Sequence, residues 1–391
     1  MSKLSEMIAT LCPNGVEYKK IKDAYTRLRG TSITATQMKA IGCKDGEIRI
    51  FAGGKTVVDA REEDIPNANI TRVPAVLVQS RGVIDFVFYD KPFTFKNEMW
   101  AYTAKDVVSV KYLYYVLQNS AEHFREAASG MGAFPQISLK VTEDFSIPLP
   151  PLPIQREIVQ ILDNFANLTA ELTAELTAEL AKRKKQYEHY RDMLLNFTGE
   201  ERVCKVEWKR LGEVCEVLDN MRKPVTKKDR LPGPYPYYGA NGIQDYVADY
   251  LFDGTYLLIG EDGSVITEKG TPVLTWAEGK IWVNNHAHVI CEAKQKNGDP
   301  KALLRYLYHS LQTVIISDVV HGTPPKLNKA NLSDIKIPLP PLEEQAAMVS
   351  LLDKFDSLCN SLTEGLPAEI ELRKKQYEYY RDKLLSFKEA G

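Results

Sequence analysis

Residues 147–197 read IPLPPLPIQREIVQILDNFANLTAELTAELTAELAKRKKQYEHYRDMLLNF, and residues 337–387 read IPLPPLEEQAAMVSLLDKFDSLCNSLTEGLPAEIELRKKQYEYYRDKLLSF. They align without a gap at a constant offset of 190: Pro148 on Pro338, Gln155 on Gln345, Asp163 on Asp353, Arg183 on Arg373, Phe197 on Phe387. Self-similarity at a fixed period has to be settled first, because each copy is one structural unit. The chain is two tandem copies of a unit that ends in a long helix.

The duplication reaches beyond the helices. Val16-Glu17-Tyr18-Lys19-Lys20-Ile21 matches Val206-Glu207-Trp208-Lys209-Arg210-Leu211, and Gly132, Pro135 and Ile137 match Gly322, Pro325 and Leu327, all at 190. Between these anchors the register slips, to 194 for Lys111-Tyr112-Leu113-Tyr114 on Arg305-Tyr306-Leu307-Tyr308 and to 181 for Arg81-Gly82 on Asp262-Gly263. Shared frames with diverged interiors suggest two modules doing one job on different targets.

Steps of three, four and seven place Ile158, Leu162, Phe165, Leu168, Leu172, Leu176 and Leu180 on one drifting helix face, and Leu352, Phe355, Leu362 and Leu366 on the other copy's. Each helix wants a partner, and the obvious partner is the other. Helices of about 45 residues span about 65 Å at 1.5 Å per residue. Antiparallel pairing needs no long connection. Gly365-Leu366-Pro367 stands where copy one has Thr-Ala-Glu-Leu, so a kink or break is expected there. Pro-Leu-Pro-Pro-Leu before each helix is a stiff extended lead-in; its recurrence at the same place in both copies argues against an SH3-type ligand.

Upstream of each helix, Ala75–Val78, Val83–Phe88 and Tyr256–Ile259 are short apolar or alternating runs bounded by Gly, Asn and Asp, the punctuation of strands and turns. One helix is expected in each copy over these parts, Val108–Ala128 and Lys301–Ile316. The fold expected is α+β: two α/β domains separated by two long antiparallel coiled-coil helices, with an internal pseudo-twofold repeat. The boundaries expected are 1–150, 151–199, 200–340 and 341–391.

Composition limits the function. A 44% hydrophobic and 26% charged chain of 391 residues is that of a globular protein of two or more domains. No run of 18 apolar residues exists, and the N-terminus lacks a signal-peptide core, so a cytoplasmic location is expected. Cys12, Cys43, Cys204, Cys215, Cys291 and Cys359 form no Cys-x-x-Cys pair and read as scattered reduced thiols. The net charge of −2 gives no bulk attraction to nucleic acid, but residues 202–230 hold nine Lys/Arg against five Asp/Glu. A local basic face is enough to neutralise phosphates.

The chain then resembles the specificity subunits of type I restriction–modification systems. The resemblance rests on the Thr-Ala-Glu-Leu tandem (especially like one subfamily), on Arg183–Asp192 and Arg373–Asp382, and on Ile-Pro-Leu-Pro-Pro-Leu before each helix. Pro236–Ile243, Leu258–Ser264 and His321–Lys326 look like the family's recognition-domain motifs. It implies two target recognition domains that read different halves of a split, asymmetric duplex DNA sequence. The expected partners are two modification (methyltransferase) subunits, which carry S-adenosylmethionine and methylate adenine, and two restriction (ATP-dependent motor/nuclease) subunits. The basic tracts Lys182–Lys185 and Arg373–Lys375 repeat at one helical place and suggest a docking surface used twice.

No methyltransferase, nuclease or hydrolase motif is present, so no catalytic, cofactor or metal site is expected in this chain. Gly54-Lys55-Thr56 has Arg49 where a P-loop needs glycine. His286-x-His288 with Cys291 lacks further ligands at metal spacing. Base reading needs paired donors or acceptors on loops, with phosphate contacts to set register. The candidates are Arg49, Lys55, Gln79, Ser80, Arg81, Gln136 and Lys140 in the first domain. In the second they are Tyr238, Asn241, Glu261, Asp262, Ser264, Asn285, His321, Thr323 and Lys326. A turn or an ordinary polar surface is the alternative for each. Gln79-Ser80-Arg81-Gly82 stands where the second domain has Gly-Glu-Asp-Gly, so roles do not transfer between domains. The rival function is a non-catalytic coiled-coil scaffold that joins protein partners without reading DNA.

Overall fold

The structure, a computed structural model, describes residues 3–128, 135–197, 206–360 and 365–390. Gly132, Arg202, Cys204, Lys205 and Leu362, singled out above, lie outside the described residues. The chain divides into two compact units, residues 1–175 with 370–391, and residues 176–369.

Unit 1 contains α1 (Lys3–Leu11), β1 (Tyr18–Lys20), α2 (Ile21–Ala24), β2 (Thr26–Leu28), α3 (Ala35–Ile41), β3 (Ile48–Phe51), β4 (Val57–Ala60), β5 (Ala75–Gln79), β6 (Asp85–Tyr89), β7 (Phe93–Phe95) and β8 (Trp100–Thr103). After these come α4 (Val107–Asn119), α5 (Ala121–Glu126), α6 (Leu139–Glu143) and β9 (Ser146–Pro148). An antiparallel sheet runs β2-β8-β5-β6, beside a smaller β4-β3-β7 sheet. All five residues of β5 are buried, and they alternate between two cores. Val76 and Val78 meet α4 and the start of the long helix α7 (Leu152–Leu195), while Ala75 and Leu77 meet Phe51, Phe93 and Phe95. A period of two on a strand covered on both faces gives this division.

Unit 2 repeats the scheme with β10 (Glu207–Arg210), α8 (Leu211–Val214), β11 (Cys215–Val217), β12 (Pro232–Gly239), β13 (Gly242–Val247), β14 (Phe252–Gly260), β15 (Leu274–Val283) and β16 (Ala287–Glu292). It continues through α9 (Leu304–Leu311), α10 (Lys329–Asp334), β17 (Lys336–Leu339) and α11 (Leu342–Asn360). Its six-stranded sheet runs β11-β16-β14-β15-β12-β13. On β14, Leu257 and Ile259 face the helical core while Leu258 joins Phe252, Ile281 and Val289.

The anchors spaced by 190 pair with each other inside each unit. Tyr18 opposes Pro148 in the β1–β9 ladder, and Trp208 opposes Pro338 in β10–β17. The helix that follows is started alike: the Gln155 amide donates to the Pro150 carbonyl at 2.7 Å and Gln345 to Pro340 at 2.8 Å. These bonds satisfy carbonyls of the proline lead-in that the prolines themselves cannot.

Each unit takes its helices from both copies. In unit 1 Leu385, at the end of α12 (Gly365–Leu385), joins Ile154, Ile158 and Leu162, and Phe165 stacks on Tyr380 at 5.7 Å. In unit 2 Tyr190 stacks on Phe355 at 5.9 Å, and Tyr187 and Leu195 share a core with Leu352 and Cys359. Rising numbers on α7 meet falling numbers on its partner, so the pairing is antiparallel in each unit. Leu172, Leu176, Leu180 and Leu366 are half-buried.

The interruption expected at Gly365-Leu366-Pro367 is present: Gly365 takes a φ of +79°, outside helical geometry, and its approach to the Leu358 carbonyl excludes a side chain. Two other expectations are adjusted. Val108–Ala128 is two helices, because Ser120 leaves helical geometry at ψ 13°. Lys301–Ile316 shortens to α9, where the β-branched Val314-Ile315-Ile316 run departs and the Ile316 N–H bonds the Gly270 carbonyl instead.

Candidate nucleic-acid interface

At the C-terminal end of β5, and again at that of β14, the chain builds the same small platform. In unit 1 Arg81 bridges Gln136, the Gly82 N–H donates to the Pro135 carbonyl, and the Ile137 N–H to the Ser80 carbonyl. In unit 2 Asp262 bridges Lys326, the Gly263 N–H donates to the Pro325 carbonyl, and the Leu327 N–H to the Glu261 carbonyl. Gly82 and Gly263 take φ of +79° and +77°, the left-handed turn that ends the strand. A third strand end closes each platform: the Ser80 hydroxyl donates to the Glu98 carbonyl at 2.7 Å, and the Glu261 N–H to the His286 carbonyl at 2.8 Å. One backbone frame therefore carries Ser80, Arg81, Glu98 and Gln136 in one unit and Glu261, Asp262, His286 and Lys326 in the other.

The side chains on these frames differ in charge and in engagement. Arg81 is exposed and has no carboxylate partner among the described residues, since Glu98 pairs with Lys96 at 2.9 Å. Gln136 is exposed, and Gln79 is 3% exposed. The Gly54-Lys55 turn comes up to Gly82, and Lys55 reaches Asp85 at 3.2 Å. Arg49 is not gathered here. Asp59 holds its guanidinium by two bonds at 2.8 and 3.0 Å, and this lowers the Asp59 carboxyl below its ordinary range. Lys140 is exposed on α6.

In unit 2 Glu261 is the hub of an enclosed ionic network. Arg222 Nη1 lies 2.6 Å from it, Lys326 Nζ 3.3 Å and His288 Nδ1 3.7 Å. Asp219 takes His288 Nδ1 at 2.6 Å and Arg222 Nη2 at 3.4 Å. Burial pushes the Asp219 carboxyl up, but the His288 hydrogen bond and the His288 and Arg222 charges outweigh it and hold the group below its ordinary value. Asp219, Glu261 and His288 have the ligand types and closeness of a metal site. Arg222 bridges the two carboxylates, so a protein cation already balances them. Asp262 is held by His286.

The remaining candidates surround this network. His321 and Lys326 exchange both backbone bonds across a tight hairpin that exposes Thr323. Asn241 is exposed in the β12–β13 turn, Asn285 before β16, and Ser264 beyond Gly263, whereas Tyr238 is 7% exposed and its carbonyl accepts the Asn284 N–H. Of the basic stretch, Arg222 is engaged by Glu261, Arg230 by Asp245 at 3.1 Å and Arg210 by Asp334 at 3.1 Å. Lys223, Lys227 and Lys228 are exposed without a carboxylate partner among the described residues. Arg222 and Asp219 were not among the sequence candidates; the Arg222-Lys223 pair in that stretch was the available signal.

Comparison with known proteins locates these frames. The sequence model described as "Type I restriction modification DNA specificity domain" matches twice, over residues 13–182 and 205–372. The chain belongs to the type I restriction modification DNA specificity domain family. It resembles the Escherichia coli type I restriction enzyme EcoR124I/EcoR124II specificity subunit, 35% identical over 299 residues, 71% of each chain. A Haemophilus influenzae protein provisionally named a type I restriction enzyme specificity subunit is 45% identical over 192 residues, and the match spans 48% of each chain. A solved chain described under complex assembly and conformational transition of the type I R-M system shares the fold, with a TM-score of 0.61 at 15% identity, over 95% of this chain and 98% of that one. Each specificity domain carries one platform. Among the described residues no helix is long and apolar enough to cross a membrane.

Proposed function

We propose that this chain is the DNA-reading subunit of a type I restriction–modification complex, itself non-catalytic and cytoplasmic. Each domain reads one half of a split, asymmetric duplex sequence. Two modification subunits, which carry S-adenosylmethionine, then methylate adenine where the chain directs them, and two ATP-dependent restriction subunits complete the nuclease. The observation that carries this reading is the pair of platforms. Two copies of one backbone frame present different exposed polar groups, as two readers of different sequences require. Lys223, Lys227 and Lys228 supply cations for phosphate contacts.

The helical part serves spacing and assembly. Three Thr-Ala-Glu-Leu units occupy residues 169–180 of α7, as in the subfamily with such repeats. Each is about 6 Å of helix against about 3.4 Å per base pair of B-DNA. The tested outcome is the methylome: DNA modified by this chain with its modification partners carries methyladenine in one bipartite sequence. A scaffold that joins proteins without reading DNA would leave the assembled methyltransferase with no sequence-dependent retention, and that result would reject the reading.

A further inference from the structure

The two platforms carry side chains of different charge type at equivalent backbone positions. Arg81 stands where unit 2 has Asp262, and Glu98 stands where it has His286. The bridges Arg81–Gln136 and Asp262–Lys326, with the matching Gly82–Pro135 and Gly263–Pro325 bonds, establish the equivalence. The engagement of these groups differs as well. Asp262 is tied to His286 and Lys326 leans on Glu261 at 3.3 Å, whereas Arg81 has no carboxylate partner among the described residues and Glu98 is occupied by Lys96 at 2.9 Å.

We propose that Arg81 reads a guanine through the major groove in one half-site only, and that Asp262 at the same platform position denies that contact to the other half-site. The planar fork of a guanidinium matches the O6 and N7 acceptors of guanine with two parallel bonds, and no other base offers that pair in the major groove. A carboxylate has no donor for those atoms. Gly82 and the Gly53-Gly54 turn keep this flank of Arg81 low: among the described residues a side-chain carbon built at Gly82 meets only Gly54, at 3.8 Å. A guanidinium that neighbouring carboxylates do not engage gives up no ion pair on meeting a base, in contrast to Arg49 on Asp59. The inference rests on the DNA-reading assignment made above.

The experiment selects duplexes from a randomised library with the full chain assembled with its modification subunits, for the wild type, Arg81→Ala and Arg81→Lys. The wild type is expected to require guanine at one position of one half-site. Arg81→Ala should lower that preference roughly 10- to 100-fold, the range for a bidentate pair, and leave every other position unchanged. Arg81→Lys keeps the charge without the fork, so overall affinity should survive while the guanine preference falls. Equal weakening on all sequences, restored by Arg81→Lys and with a shallower salt dependence, would make Arg81 a phosphate contact and overturn the proposal. An unchanged preference in Arg81→Ala would overturn it too. A wild-type complex that selects no sequence would overturn the DNA-reading assignment itself, and the guanine contact with it.

Discussion

The Asp353→Ala substitution in α11 tests how the helices are fastened to unit 2. The Asp353 carboxylate takes Arg305 Nε at 2.7 Å and His309 Nε2 at 2.7 Å. The His309 ring is 0% exposed, and its other nitrogen lies 3.2 Å from the Tyr187 hydroxyl of α7, which donates to it once Nε2 carries the proton. Removing the carboxylate strands a buried N–H, which costs about 1–3 kcal/mol. Arg305 keeps Asp356 at 3.0 Å, and Asp353 is 39% exposed, so the lost ion pair adds only about 0.5–1 kcal/mol. Unit 2 should therefore lose about 1.5–4 kcal/mol in all. Asp353→Asn, which keeps an acceptor, should lose less. The assay is urea unfolding followed by tryptophan fluorescence, aided by Trp276, whose ring lies 4.9 Å from the Arg305 guanidinium. Hydrogen exchange of α9 and α11 localises the effect. A loss below about 1 kcal/mol for Asp353→Ala would refute the reasoning, since a stranded buried donor sets that floor.

The same site carries a pH dependence. Burial lowers the His309 pKa, outweighing the Asp353 hydrogen bond that raises it. The unfolded chain thus takes up a proton at a higher pH than the folded one. This contribution to stability is full above the ordinary histidine pKa of about 6.5, falls as pH drops below it and levels off once the folded ring is protonated. One proton sets a maximum slope of about 1.4 kcal/mol per pH unit. His309→Gln should flatten that limb. Unit 1 has Tyr115 at the equivalent place, donating to Asp163 at 2.6 Å with Lys111 at 2.6 Å, and burial raises this phenol's pKa, so it stays neutral through the same window.

Further outcomes are expected elsewhere. Deleting Thr173–Leu176 should shorten the gap between half-sites by roughly one or two base pairs; an unchanged methylated sequence would sink the spacing role. Replacing residues 200–336 with another family member's domain should change one half-site, and a change in both would reject independent readout. Arg222→Met removes the guanidinium that bridges Glu261 and Asp219, 13% and 9% exposed, and leaves them Lys326 and His288. Unit 2 should lose about 3–5 kcal/mol and the Glu261–Ser264 turn its protection from exchange, with calorimetry as the check.

Much of the frame was legible in sequence because its contacts are made by residues inside the repeat. The offset of 190 matches Val16–Ile21 to Val206–Leu211 and Ile147–Leu149 to Ile337–Leu339, and each copy closes its own two segments into the same ladder, β1–β9 and β10–β17. Asp163 and Asp353 likewise mark the same fastening to α4 and α9. The glycine–proline interruption of the second helix was readable from backbone chemistry alone. The helix ends in the recognition parts were not: past α9 the Ile316 N–H bonds the Gly270 carbonyl, a partner distant in sequence.

By itself, then, the sequence determined the duplication, the long helices, their break at Gly365 and the class of fold, since local backbone preferences and a constant spacing suffice for these. Antiparallel pairing of the two helices was expected from their stripes, but only tertiary structure decided which side chains close each core: Leu385 completes unit 1 while Tyr187 and Leu195 complete unit 2. It also brought the two registers together, setting Arg81 beside Gln136 and Asp262 beside Lys326 although the segments they belong to repeat at different offsets, 181 and 190. The insertions between them break the register along the chain. Backbone hydrogen bonds between strand ends, which no linear spacing encodes, restore it in space.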